Sequence, residues 1–81
     1  MRLQIYSLKN KLFDGEAESI NCETASGQIT VLDDHRPLIS MLKGGTIKIV
    51  DINQKEVYIP VSSGFLEVLP RNHARLIVEE T

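Results

Sequence analysis

Apolar and polar residues alternate with a period of two along most of the chain, for example over residues 46–49 and 75–79. Successive side chains of a β-strand point to opposite faces, so this period is typical of strands with one buried face. The same period predicts that Ala17 faces away from Ile20 and Cys22. Valine, isoleucine, threonine and tyrosine also favour strands. We therefore predict strands in nearly every part of the chain and no amphipathic helix.

Turn-forming residues divide these strands at short intervals. The predicted turns are 13–15, 25–27, 33–37, 43–45, 51–55, 62–64 and 70–73. Many short strands with regular turns predict an all-β fold, a two-sheet flattened sandwich or barrel of about nine or ten short strands. Residues 36–43 have some helical character, but we predict a strand there because strands surround them.

The length and composition of the chain limit its number of domains and the partners that it can bind. The chain has 81 residues, which predicts a single domain over 1–81. Its net charge is −2 and its nine Lys and Arg are scattered, which argues against binding to nucleic acid or anionic lipid. The single cysteine, Cys22, cannot form an internal disulfide, so we expect a reducing compartment and a core position. No apolar run approaches the roughly 20 residues of a membrane helix. We therefore expect membrane association only through partners.

Titratable residues cluster in the predicted turn at 33–37, where Asp33, Asp34 and His35 follow one another. Adjacent side chains of a strand point to opposite faces and make a poor metal chelate. We instead expect one of the two carboxylates to cap the turn before Pro37. A metal or small-molecule site at these three residues, in a free-standing β-sandwich module, is the alternative hypothesis.

Motifs for nucleophilic catalysis or phosphate binding are not recognisable. Ser62 and Ser63 precede Gly64, but no helix follows to form a nucleophile elbow. Gly44 and Gly45 likewise precede a strand, not a helix whose N-terminus could bind phosphate. We therefore predict a protein without catalytic residues, metal or cofactor, which acts through its surfaces.

Two long stretches of the chain resemble one family. They are KLFDGEAESINCETASGQITVLDDHRPLISMLKGGTIKIV and VSSGFLEVLPRNHARLIVEE. Their ordered motifs resemble the N-terminal β-sandwich domain of the epsilon subunit of F-type ATP synthases, called delta in mitochondria. The resemblance covers about residues 2–80, and the positions that carry it are Gly15, Gly27, His35, Pro37, Gly45, Gly64 and Glu67.

The resemblance implies a non-catalytic subunit of the central stalk, which links the gamma shaft to the membrane c-ring during ion-driven ATP synthesis. It implies a c-ring docking loop that contains Ser26, Gln28, Asp33, Asp34, His35 and Arg36. It also implies a contact with the gamma subunit, for which our candidates are Ser62, Ser63, Gly64, Phe65 and Glu67. The implied location is peripheral, on the cytoplasmic face of a bacterial inner membrane, or on an organellar inner membrane or thylakoid in a eukaryote.

The chain departs from the family pattern at three places. Family members usually carry a C-terminal helical hairpin, and we expect none in this sequence, which ends at Thr81. A naturally short subunit and an excised domain both fit this ending. Two aspartates precede His35 where Pro and Gly are common, and Gly44 stands where Pro is common. The more acidic turn predicts a ring whose facing loops carry a different charge.

Overall fold

A computed structural model describes residues 1–81 and contains only strands, turns and loops. Its seven strands are β1 Arg2–Tyr6, β2 Lys11–Thr24, β3 Gly27–Leu32, β4 Leu38–Leu42, β5 Gly45–Asp51, β6 Glu56–Leu69 and β7 His73–Glu80. The all-β prediction is confirmed, and the stretch 36–43 does contain a strand, because Leu38–Leu42 pairs antiparallel with β6. No helix long and apolar enough to cross a membrane is present.

The count of seven corrects the prediction of about nine or ten short strands. Both β2 and β6 have 14 residues and run through the turns predicted at 13–15 and 62–64. Those two turn predictions were wrong because the glycines lie inside strand ladders. Gly15 pairs with Leu3 of β1, and Gly64 pairs with Val78 of β7.

The strands form one continuous hydrogen-bonded sheet, which the two long strands fold into two layers. The first layer contains β3, the C-terminal half of β2, β5 and the N-terminal half of β6. The second contains β4, the C-terminal half of β6, β7, β1 and the N-terminal half of β2. Each long strand changes layer at a register shift, between Ala17 and Ser19 and between Val61 and Ser63. Such bulges bend a strand, so the two-sheet prediction is confirmed with bent strands at its corners.

The bulge in β2 also changes which residues face the core. Ala17 and Ile20 are both buried, although strict alternation predicted that they face opposite sides. The extra residue at the bulge shifts the alternation by one position, so that prediction was wrong for Ala17. Val61 and Leu66 show the same effect across the bulge in β6, because both are buried despite their odd spacing.

The core is a single cluster of 17 buried hydrophobic residues drawn from Met1 and all seven strands. Leu3, Ile5, Ile20 and Leu76 are completely buried. Cys22 is also buried, as predicted, and this burial, more than the nearby Glu23 carboxylate, raises the pKa of its thiol to about 11. The thiol therefore stays protonated and packs as a small apolar side chain.

Candidate partner-docking surfaces

The outer face of the second layer carries exposed apolar side chains. Met41 of β4, Phe65 of β6 and Ile77 of β7 lie opposite one another across three strands. Their exposed fractions are 59%, 51% and 52%, and Ile39 beside them on β4 is 74% exposed. We call these four residues the apolar row. Adjacent exposed apolar side chains mark an interaction surface, because a water-facing sheet normally presents polar groups there.

The outer face of the first layer is different, because its polar side chains bind one another. Gln28 Nε2 donates to Asn21 Oδ1 at 3.0 Å, and Lys48 Nζ lies 3.2 Å from Glu56 Oε2. The Tyr58 hydroxyl donates to Glu56 Oε1 at 2.9 Å. The hydrogen bond from Tyr58, followed by that from Lys48, holds the pKa of Glu56 below its usual range. This face is therefore mostly polar, with Leu32 at the end of β3 exposed by 58%.

The residues predicted to contact the gamma subunit lie along β6, where it bends into the second layer. Ser63, Gly64 and Phe65 line an open groove of about 490 Å³, together with Leu8 and Ile77. The groove is continuous with the apolar row, because Phe65 and Ile77 belong to both. The structure therefore brings three of the five candidates to one apolar depression.

The remaining two candidates lie at either end of that segment. Ser62 is exposed at the bulge, where its hydroxyl donates to the Glu79 carbonyl at 3.2 Å. Glu67 is half-buried and accepts hydrogen bonds from Arg75 at 2.9 and 3.1 Å. A partner at this face would therefore meet a Glu67 carboxylate that is already paired.

Sequence reasoning placed Ile77 on the face opposite Leu76 and Val78, but it did not name Ile77, Ile39, Met41 or Leu8 as candidate partner contacts. Part of the signal was present, because Ile77 stands between Leu76 and Val78 and must face away from both. A single exposed isoleucine is common, and only the strand register that puts Ile77 beside Phe65 and Met41 marks the surface.

The six residues predicted for c-ring docking fall into two groups. Ser26 and Gln28 lie at the start of β3, whereas residues 33–36 follow its end. A strand of six residues separates the two groups by about 17 Å at the usual rise per residue. The structure therefore does not bring these six residues together in one loop.

Residues 33–36 form a loop that is bound to two other segments. The Asp33 carboxylate accepts hydrogen bonds from the Met1 ammonium at 2.6 Å and from Asn72 Nδ2 at 3.4 Å. Hydrogen bonding by the ammonium, followed by that of Asn72, lowers the pKa of Asp33. The backbone N–H of Asp34 donates to Asn72 Oδ1 at 2.8 Å.

The expected carboxylate cap of this turn is wrong. Asp33 binds Met1 and Asn72, which lie outside the turn, and the Asp34 carboxylate accepts no hydrogen bond. The turn is closed by its own backbone instead, with the His35 N–H donating to the Leu32 carbonyl at 3.3 Å.

The same contacts bear on the alternative metal hypothesis. No three His, Cys, Asp or Glu side chains in residues 1–81 converge on a common point. Asp33 is turned towards Met1, and the His35 ring lies against the Arg36 carbonyl at 2.7 Å from Nδ1. The geometry therefore supplies no metal-ligand set at 33–35.

The fold and these surfaces define a two-layer β domain with one exposed apolar face and a hydrogen-bonded loop at 33–36. The family model for the β-sandwich domain of the ATP synthase delta/epsilon chain matches residues 1–80, and the chain belongs to this family.

Curated relatives are similar over most of this chain. It is 37% identical over 70 residues to the ATP synthase epsilon chain of Bordetella avium, covering 86% of this chain and 50% of that one. It is 35% identical over 71 residues to that of Psychrobacter arcticus, covering 88% of this chain and 51% of that one. The chain thus spans about half the length of the curated relatives it matches.

Solved structures share the fold at lower identity. A chain of the Euglena gracilis mitochondrial ATP synthase OSCP/F1/c-ring structure aligns with a TM-score of 0.92 at 20% identity, covering 99% of this chain and 51% of that one. A chain of the Tetrahymena thermophila mitochondrial ATP synthase central stalk/c-ring structure aligns with a TM-score of 0.82 at 15% identity, covering 99% and 63%. At 20% and 15% identity, the structural similarity establishes the fold of this chain and nothing further.

Proposed function

We propose that this chain is the β-sandwich of a non-catalytic central-stalk subunit of an F-type ATP synthase, which connects the gamma shaft to the c-ring. The observation that carries the proposal is the family match over residues 1–80. The subunit transmits torque and makes no covalent change in a substrate. Its single close-packed core suits that task, because such interiors deform little under load.

The apolar row and its groove are the proposed gamma-binding surface. Phe65 lies at the centre, with Met41 and Ile77 on the neighbouring strands. The exposed Ser62 and Ser63 lie at the corner of the same strand, and the paired Glu67 lies at the rim. Buried apolar anchors with a polar rim are the usual anatomy of a protein interface. The polar outer face of the first layer remains in contact with water.

The proposed c-ring surface is the loop 33–36, with Ser26 and Gln28 as a second contact at the other end of β3. Asp34, Arg36 and the ring of His35 can meet polar loops of the ring subunits. Charged loop contacts of this kind govern the rate and specificity of assembly more than its total free energy.

Because the curated relatives are bacterial, we infer that the chain is peripheral, on the cytoplasmic face of a bacterial inner membrane. In a eukaryote the equivalent place is an organellar inner membrane or the thylakoid. The complex is driven by protons or sodium ions. Membrane fractionation, with release of the chain when the complex is dissociated, tests this location.

Two matched alanine variants test the gamma-binding surface. Phe65 and Tyr58 are exposed aromatics, 51% and 56%, on the outer faces of opposite layers. We expect Phe65→Ala to weaken binding of the gamma subunit at least about tenfold, as loss of a central aromatic anchor does. Tyr58→Ala should bind like the parent chain.

The measurement is a binding titration of the full chain with purified gamma subunit, together with co-purification of both from membranes. A parent chain that recovers neither gamma nor the c-ring would overturn the proposed function. Equal loss of binding in both variants would instead show that the gamma contact is not specific to the apolar row.

A further inference from the structure

The turn between β6 and β7 has an unusual backbone. Arg71 and Asn72 are consecutive non-glycine residues with positive φ, at 67° and 57°. A pair of positive φ angles is required in a type I′ hairpin turn, and asparagine tolerates that conformation better than most residues. The conformation points the Asn72 side chain at the loop 33–36, which lies 38 residues away in sequence at the Asp34 contact.

Both ends of the Asn72 amide bind that loop. Its Oδ1 accepts the backbone N–H of Asp34 at 2.8 Å, and its Nδ2 lies 3.4 Å from Asp33 Oδ1 as the weaker contact. The Asn72 carbonyl accepts the N–H of Arg2 at 3.0 Å, so the turn is itself attached to β1. A chain of hydrogen bonds therefore runs from the second layer through Asn72 to the loop.

Besides Asn72, the loop is held at Asp33 by the Met1 ammonium at 2.6 Å, but that contact does not reach the backbone of Asp34. Asp34 has a φ of 59°, a left-handed conformation that a non-glycine residue adopts only with local support. Within the loop, the hydrogen bonds are those of His35 to the Leu32 and Arg36 carbonyls. Loss of the Asn72 contact would free the Asp34 amide and the conformation that depends on it.

We propose that Asn72 is a positioning residue for the c-ring surface, which holds Asp34 in its left-handed conformation and thereby orients His35 and Arg36. This inference rests on the proposed function of the loop. A preformed loop loses less conformational entropy when it docks, which favours binding. The chemistry selects asparagine, because aspartate lacks the donor for Asp33 and glycine lacks both groups.

Hydrogen exchange tests the contact in the full chain without any partner. We expect Asn72→Gly to exchange the Asp34 amide about five- to tenfold faster, the effect of one lost hydrogen bond. Arg71→Gly is the matched control, because it changes the neighbouring positive-φ residue of the same turn, whose side chain makes no hydrogen bond to the loop. Equal exchange at Asp34 in the parent and in Asn72→Gly would overturn the inference.

Binding to a c-ring in lipid nanodiscs tests the consequence. We expect Asn72→Gly to bind the ring roughly five- to tenfold more weakly than the parent. Arg71→Gly, the matched control, should bind the ring like the parent. Urea unfolding of the same variants measures stability separately, and equal loss of ring binding in both variants would overturn the positioning role of Asn72.

Hydrogen exchange and ring binding together distinguish failure of the proposed function from failure of the positioning role of Asn72. A parent chain that does not bind the ring overturns the proposed function, whatever the exchange rates are. If the parent binds the ring and Asn72→Gly binds equally well despite faster exchange, the proposed function stands and the positioning role of Asn72 is overturned.

Discussion

The absence of a side chain at Gly64 allows β6 and β7 to approach each other closely. A Cβ built at this position would lie 2.6 Å from the Ile77 carbonyl oxygen and 3.0 Å from the Val78 Cα. Real carbon atoms do not approach backbone atoms so closely, so β6 and β7 can pair here only because residue 64 is glycine. The small residue that we singled out for a partner contact is thus also needed inside the chain.

We expect Gly64→Ala to lower the free energy of unfolding by about 1–3 kcal/mol, because the methyl group forces the two strands apart. Gly15→Ala is the matched control within the other long strand. A Cβ there would meet only the Phe13 ring, at 3.8 Å, which is ordinary contact. Thermal or urea unfolding of both variants measures the difference, and equal stability would contradict the close approach at Gly64.

A substitution at Asp34 can distinguish two roles of this residue at the proposed c-ring surface: direct contact through its carboxylate, and positioning of the loop through its backbone. Its carboxylate makes no hydrogen bond, and only its backbone N–H binds Asn72. We expect Asp34→Asn to leave the free energy of unfolding within about 0.5 kcal/mol of the parent, because surface substitutions rarely cost more. Its binding to the c-ring should weaken and become less sensitive to salt, since one exposed charge is removed. Unchanged ring binding at low and high salt would show that the carboxylate does not face the ring.

At the scale of elements, the strands that the sequence predicted best are the straight ones. Alternation placed Leu76 and Val78 of β7 on one face, and both are buried. The turn at 51–55 was also correct, because Asp51 accepts the backbone N–H groups of Asn53 and Lys55. The long strands were not predictable in this way, because a bulge inserts one residue and leaves no compositional mark.

The last strand is joined to the β1–β2 turn through Glu80. Its carboxylate accepts hydrogen bonds from Asn10 Nδ2 at 3.0 Å and from Ser7 Oγ at 2.8 Å. The bond from Asn10, followed by that from Ser7, lowers the pKa of Glu80 in the folded chain. A lowered folded pKa means that this contribution to stability is complete above the ordinary glutamate pKa and is lost as the pH falls through the folded value.

We therefore expect Glu80→Gln to be less stable than the parent near neutral pH and to approach it as the pH falls below the ordinary glutamate pKa and through the lower folded pKa of Glu80. Melting temperatures across this pH range measure the effect. Glu79→Gln is the matched control, because the neighbouring carboxylate makes no such hydrogen bonds and its substitution leaves the contact of Glu80 with the turn in place. A constant difference for Glu80→Gln would contradict the contact with the turn.

At the scale of the whole molecule, the two outer faces differ in polarity. The first layer presents hydrogen-bonded polar side chains, and the second presents the apolar row. An isolated two-layer sandwich does not need this asymmetry, because either outer face could be polar. The groove beside Phe65 lies on the apolar flank and the loop held by Asn72 lies apart from it, and these are the two surfaces that we propose for the gamma subunit and the c-ring.

The amino-acid sequence by itself determined the class of structure, the inward faces of the straight strands and most of the turns, because alternation and turn chemistry are local properties. Its motifs also indicated the family. Only the tertiary structure decided that β2 and β6 cross between layers, and that Met41, Phe65 and Ile77 form one row. Those residues are far apart along the chain and become neighbours through strand register, which depends on pairing across the whole sheet. The contact of Asn72 with Asp34 arises in the same way, from two turns that meet only after the layers have packed.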